Sequence, residues 1–120
     1  MGFKDYFRKN FETSDNHEYS TLRTHYYIAK KEEAIEAVNN LLAKEKVLSS
    51  VVNEARGEII FEARNCGGTF TITNLSYTNC AIDIQVNTYN ILPGLKGIRI
   101  IEHYYEELDK MLRQRMPNTR

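Results

Sequence analysis

One stretch of the sequence, Cys80–Thr88, constrains the fold more than any other. Every second residue along it is apolar, namely Cys80, Ile82, Ile84 and Val86. A period of two indicates a β-strand with one buried face and one solvated face. The apolar face needs a cover, and the remainder of the chain is expected to supply it.

Three earlier runs predict neighbouring strands. Glu58–Arg64 and Thr69–Leu75 repeat the alternation, and Asn65–Gly68 between them is predicted to be a turn. Val47–Asn53 is a further β-branched run, with less regular alternation. Short turns between successive strands predict an antiparallel meander with one apolar face.

Two amphipathic segments predict the helices that cover this face. The first spans about residues 30–43 and the second about residues 98–115, each with an apolar stripe at helical spacing. We therefore predict an α+β fold in two layers. It consists of an antiparallel meander sheet of four to five strands, two main helices on one face and a short N-terminal amphipathic helix.

The fifth strand is expected at the border of the meander. In a simple meander Cys80–Thr88 has one unpaired edge, and it carries neither proline nor lysine to discourage pairing with another chain. The other β-prone run, Leu22–Ile28, is predicted to pair with this edge. A second copy of the chain is the alternative cover.

The N-terminal helix is predicted from an aromatic repeat. Phe3, Phe7 and Phe11 are spaced four residues apart, with Tyr6 beside them. This spacing favours a short amphipathic helix, which needs a docking surface because three turns alone are marginal in water. The sequence leaves four docking surfaces open: its own domain, a second copy of the chain, another protein and a membrane surface.

Length and composition predict one domain in a reducing compartment. The 120 residues are expected to form a single domain. Within it, we expect a helix and linker over residues 1–21, the α+β core over 22–116 and a frayed tail over 117–120. Sixteen basic and sixteen acidic side chains cancel, so no nucleic-acid partner is predicted. Neither a signal peptide nor a membrane-spanning run is recognised, and Cys66 and Cys80 are predicted to be free thiols. These features predict a cytoplasmic location.

The sequence shows no pattern that predicts catalysis. A nucleophilic site needs serine or cysteine beside histidine and an acid, and nothing in the spacing of His17, His25 and His103 brings such groups together. Metal-ligand spacings and phosphate-binding loops are also not recognised. We therefore predict no enzyme activity, no cofactor and no metal ion.

Two classes of function remain. The first is a non-enzymatic protein-interaction or self-associating module, a possible homodimer, whose contact surface consists of Phe3, Tyr6, Phe7 and Phe11. The alternative is a small-molecule-binding domain with an apolar cleft between the sheet and the C-terminal helix. The candidate residues that line this cleft are Tyr104, Tyr105 and Leu108.

Several short motifs also carry a resemblance. They are Phe3-Lys4-Asp5-Tyr6-Phe7, Leu22-Arg23-Thr24 with Tyr26-Tyr27, Arg56-Gly57-Glu58-Ile59, and Tyr104-Tyr105-Glu106 with Leu108-Asp109. With these motifs the chain resembles a group of small uncharacterised cytosolic proteins from Gram-positive bacteria such as Bacillus. The resemblance implies a compact α+β domain in the cytosol and implies no activity.

Overall fold

The computed structural model describes residues 10–89 and 96–114. Within these ranges the chain forms six strands and two helices. The strands are β1 Asn10–Glu12, β2 His25–Tyr27, β3 Ser49–Asn53, β4 Glu58–Glu62, β5 Cys66–Ser76 and β6 Asn79–Thr88. The helices are α1 Lys31–Lys44 and α2 Lys96–Met111, and a 3-10 turn spans Ser20–Leu22.

All six strands form one antiparallel sheet in the order β1-β6-β5-β4-β3, with β2 also paired to β6. The last four strands follow one another as the predicted meander. Two short strands share the outer edge of β6: Glu12 lies opposite Gln85 in β1, and His25 lies opposite Ile82 in β2. The prediction that Leu22–Ile28 covers this edge is thus confirmed, with the pairing confined to β2.

The prediction for the N-terminal region requires a correction. Phe11 lies in β1, where it pairs with Val86, and it is not part of a helix; Phe3, Tyr6 and Phe7 lie outside the described residues. Its ring packs directly against Gly97 at the start of α2, so that a Cβ atom at this glycine would overlap it. This segment pairs as a strand with the open edge of β6. The sheet therefore has six strands, whereas four or five were predicted.

The predicted turn at Asn65–Gly68 is also wrong. β5 begins at Cys66 and includes both glycines, with Gly68 opposite Val86. A Cβ atom at Gly68 would overlap the Gln85 carbonyl oxygen of the neighbouring strand. Glycine occurs here because two backbones approach closely, and a reverse turn is not involved.

Both helices pack on the apolar face of the sheet, as predicted. α1 begins with the Lys30 amide donating to Glu33 Oε1 at 2.8 Å, and its buried stripe includes Val38 and Leu41. α2 crosses the sheet with Ile101 and Leu108 fully buried beneath it. In the described ranges, neither helix is long and apolar enough to cross a membrane.

Candidate functional site

A cleft of about 390 Å³ opens where the first turns of α2 meet one end of the sheet. Its walls come from α2, from the chain that leaves α1, from the start of β5 and from the end of β6. The residues that line it are Glu45, Asn65, Cys66, Thr88, Lys96, Arg99, Ile100, His103 and Tyr104. A second depression adjoins it and adds Lys46, Val47, Leu48, Ala63 and Arg64. We refer to the two adjoining depressions together as the cleft.

The floor of the cleft is apolar and uncharged. Cys66 and Tyr104 are each 5% exposed, and the partly buried Ile100 lies beside them. Burial raises the pKa of the Tyr104 phenol and also raises the pKa of the Cys66 thiol, although a hydrogen bond from Tyr104 opposes the shift at the thiol. Both groups are therefore neutral at physiological pH.

Aromatic packing fixes this floor in place. The Tyr104 ring meets the Phe61 ring edge to face, with centroids 5.8 Å apart, and lies 5.5 Å from the Phe70 ring. Such clusters add directional attraction to the burial of a large apolar area. The alternation of β4 and β5 presents both phenylalanines to α2, so the shape of the floor follows from the sheet itself.

Charged side chains form the rim of the cleft. The cations are Lys46, Arg64, Lys96 and Arg99, all of them exposed. The acid on the rim is Glu45, whose carboxylate lies 3.0 Å from His103 Nε2. No ion pair joins any of the four cations to another residue within 10–89 and 96–114.

The opposite flank of α2 has a different arrangement. His25 stacks on Tyr105 with ring centroids 3.7 Å apart and planes 4° from parallel. Its Nδ1 lies 3.0 Å from Asp109 Oδ1, and the same oxygen accepts a hydrogen bond of 2.7 Å from the buried Tyr27 hydroxyl. Burial, reinforced by this hydrogen bond, raises the pKa of Tyr27, which keeps its phenol protonated as the donor.

The network on that flank continues into the sheet. The Tyr105 hydroxyl lies 2.7 Å from the carbonyl oxygen of Ile82 and 3.2 Å from Thr13 Oγ1. Thr13 and Thr24 both donate to Asp83 Oδ1, at 2.7 and 2.6 Å. Each of these buried or partly buried polar groups thus has a partner on a neighbouring element, as stable interiors require. A shallower depression of about 260 Å³ lies on the solvent side of this network. It is lined by the network members His25, Tyr105 and Asp109, together with Thr21, Glu102 and Glu106.

One group of potential metal ligands lies on α2. His103, Glu106 and Glu107 each place one ligand atom within 4.8 Å of the others. Glu107, however, already accepts hydrogen bonds from Lys44 at 2.6 Å and from Lys110 at 3.1 Å. Its charge is thus compensated by two lysines, and the group gives no basis for a metal site.

The three cleft residues predicted from the sequence lie in three different parts of the structure. Tyr104 lines the cleft, Tyr105 faces the opposite flank, and Leu108 is fully buried in the core between them. Adjacent residues on a helix point about 100° apart, so Tyr104 and Tyr105 could not both line one narrow cleft. The sequence patterns did not point to Cys66, Ile100 or the charged rim. The half-apolar flank formed by Ile100 and Tyr104 beside His103 is the signal that could have indicated them.

No protein-family model and no curated protein matches the sequence. The resemblance to Gram-positive proteins therefore stays a prediction. Among solved structures, the chain is similar to a protein described as the Zhui aromatase/cyclase from Streptomyces sp. R1128. The match has a TM-score of 0.49 and 10% sequence identity, and it covers 85% of this chain and 84% of that one.

Two predictions about function are corrected by these findings. Phe11, one of the four residues proposed as a protein-contact surface, is 2% exposed and lies beneath α2. The prediction of a non-enzymatic interaction module and the prediction that the chain is not an enzyme are corrected as well: the solved structure named above is described as an aromatase/cyclase. We keep neither prediction. At this TM-score the match gives no information on chemistry, and the function proposed below rests on the cleft.

Proposed function

We propose that the protein binds a small molecule in the cleft between α2 and the end of the sheet. The observation that carries the proposal is a neutral, apolar floor beneath a polar rim, in two adjoining depressions of about 390 and 400 Å³. Small-molecule sites are typically clefts of about 300–1,000 Å³ with mostly apolar linings and a few polar groups that orient the ligand. Cys66, Ile100 and Tyr104 provide the apolar contacts.

The walls of the cleft are held in place by contacts within the protein, which favours a binding site over a gap left by loose packing. Tyr104 is held by two phenylalanine rings, and the Glu45–His103 contact ties the chain that leaves α1 to α2 across the opening. A site whose walls are already ordered loses less conformational entropy when a ligand enters. A ligand therefore gains the apolar contacts at little cost in reorganisation.

We place this binding in the cytoplasm. Cys66 and Cys80 are both free and buried, and free thiols persist in reducing compartments. Cys66 lies on the floor of the cleft, where oxidation would introduce charge into the apolar contact surface. A reducing environment thus preserves the binding surface.

A thermal-shift screen tests the proposal. A compound present at 100 times its dissociation constant stabilises the folded state by about 2.7 kcal/mol, which raises the melting temperature of a domain of this size by roughly 10 °C. We expect such compounds in a library of small apolar and amphipathic molecules. Ile100→Trp is designed to fill the cleft and to abolish the shift.

The matched control is Ile60→Trp, because Ile60 is exposed on the opposite face of the sheet. This variant should respond to the same compounds as the original chain. The proposal fails if no compound stabilises the original chain, or if Ile100→Trp responds as strongly as Ile60→Trp.

A further inference from the structure

The distribution of charge at the cleft differs from that of the chain as a whole. The sequence has no net charge, yet the rim carries four cations and one acid. That acid, Glu45, is engaged by His103. Lys46, Arg64, Lys96 and Arg99 thus surround an apolar floor, and none of them forms an ion pair with a described carboxylate.

Two of these cations occupy positions that the helix dipole disfavours. Lys96 and Arg99 lie in the first turn of α2, which contains no acidic residue. The N-terminus of a helix carries partial positive charge and favours anions, while cations are favoured at the opposite end. The backbone amides of that turn and the two side chains therefore create a positive potential that a ligand anion would relieve.

Lys46 is a third unusual position. It has a φ of 57°, and it is the one non-glycine residue with positive φ within residues 10–89 and 96–114. Glycine or asparagine usually occupies this left-handed position after a helix, because a Cβ atom strains it. The chain instead has a long cationic side chain here, on the lining of the cleft.

From these observations we propose that the ligand is an amphipathic anion, an apolar body with a single carboxylate head group. The inference rests on the proposed function and defines the ligand class for the same site. The apolar body packs on Cys66, Ile100 and Tyr104. The carboxylate lies at the rim near Lys96 and Arg99, where arginine can hold both carboxylate oxygens at once. Cationic ligands are disfavoured, because they would meet four like charges and one carboxylate.

Matched pairs of compounds test this inference. Binding of decanoic acid is compared with that of decanamide, and binding of 1-naphthaleneacetic acid with that of its primary amide, by calorimetry at pH 7.5. Each pair has the same apolar body and differs in charge. For at least one pair we expect the acid to bind about tenfold more tightly than the amide, the effect of one charge-assisted hydrogen bond. Affinity for the acid should also fall with salt, because the rim is exposed.

Variants separate the head group from the body. Lys96→Gln combined with Arg99→Gln should weaken binding of the acid about tenfold and leave binding of the amide within about twofold. The control is Arg56→Gln, which removes an exposed cation in the turn between β3 and β4 and should change neither affinity.

The outcomes distinguish the two proposals. Equal binding of acid and amide overturns the anionic ligand class and leaves the cleft as a binding site. Tighter binding of the amide overturns it as well. If neither member of either pair binds, while the library screen yields ligands blocked by Ile100→Trp, the ligand class is again wrong and the function stands. If the screen yields no ligand, the proposed function itself fails.

Discussion

The polar side chains on the two flanks of α2 differ in whether they have partners within the protein. On one flank, His25, Tyr27, Tyr105 and Asp109 satisfy one another through hydrogen bonds and a ring stack, with their main contacts inside the fold. On the other flank, the rim cations of the cleft have no partner among the described carboxylates, and the floor beneath them is open. One helix thus carries a closed network and an open site.

The difference separates groups that stabilise the fold from groups that remain available for a ligand. Buried polar groups with complete hydrogen bonding contribute to stability, and removal of one partner leaves another unsatisfied. Exposed charges with no partner contribute little to stability. We therefore expect substitutions on the closed flank to change stability and substitutions on the open flank to change binding.

The largest effect is expected at Asp109, which is the hub of the closed flank. Asp109→Ala removes the acceptor of the Tyr27 hydroxyl and the partner of His25 Nδ1. Since the Tyr27 hydroxyl then keeps only its longer contact of 3.4 Å with His25 Nδ1, we expect a loss of about 2 kcal/mol in the free energy of unfolding, measured by urea denaturation. Affinity for cleft ligands, measured below the unfolding transition, should not change.

Two controls refine this result. Asp109→Asn retains an acceptor for Tyr27 and should lose less stability than Asp109→Ala. Glu106→Ala, which removes an exposed carboxylate three residues earlier on α2, should remain within about 0.5 kcal/mol of the original chain. A loss at Asp109→Ala no larger than at Glu106→Ala would contradict the closed network.

A smaller effect, opposite in sign, is expected on the open flank. Lys46→Gly relieves the strain of a side chain at φ 57° and should raise the free energy of unfolding by up to about 1 kcal/mol. The same change removes a rim cation and should weaken binding of carboxylate ligands. Lys46→Ala is the matched control, since it removes the charge, keeps the strain and should bring no gain in stability. A loss of stability in Lys46→Gly would show that Lys46 is structural.

The smallest effect concerns Glu107, which lies farther along α2 and contacts two lysines. Hydrogen bonds from Lys44 and Lys110 lower the pKa of Glu107 to about 2, from an ordinary value of 4.5. A carboxyl group with a depressed pKa stabilises the fold above its unfolded-state value, so this contribution is lost as the pH falls from about 4.5 to about 2. Because both lysines are exposed, water and salt weaken the effect.

Melting temperatures of Glu107→Gln and the original chain, compared between pH 7 and pH 2, test this. The difference in favour of the original chain should be constant above pH 5 and should shrink below it. Glu106→Gln serves as the control, because this exposed carboxylate forms no ion pair with a described cation. A difference that stays constant down to pH 2 would mean that the lysines do not stabilise the Glu107 carboxylate.

Much of the fold could be predicted from local pattern. The alternation in 80–88 and 58–62 and the helical stripes near 31–44 and 96–111 define their elements, because each element buries one face of its own. The extension of β5 through Gly67 and Gly68 could not be predicted in this way. Gly68 is required because the backbone of Gln85, seventeen positions along the chain, approaches it closely, whereas the local sequence resembles a turn.

The assignments that failed depend on contacts distant in sequence. Phe11 has helical spacing with Phe3 and Phe7, but its segment pairs with the edge of β6, whereas an isolated three-turn helix is only marginally stable in water. The cleft is formed by segments near residues 45, 65, 88 and 99, and no single segment signals it. The sequence indicated a cleft beside α2 in its alternative interpretation, and the structure has a cleft there, but the sequence could not show which flank of the helix would be open.

The most direct test of the account is a comparison of the two flanks by NMR in the presence of the library compound that stabilises the protein most. Backbone amide shifts are followed during titration of the isotopically labelled protein. The account predicts saturable shift changes at Cys66, Arg99, Ile100 and Tyr104, with His25 and Asp109 unaffected. Shift changes centred on His25 and Asp109, with none at Cys66 and Ile100, would contradict it.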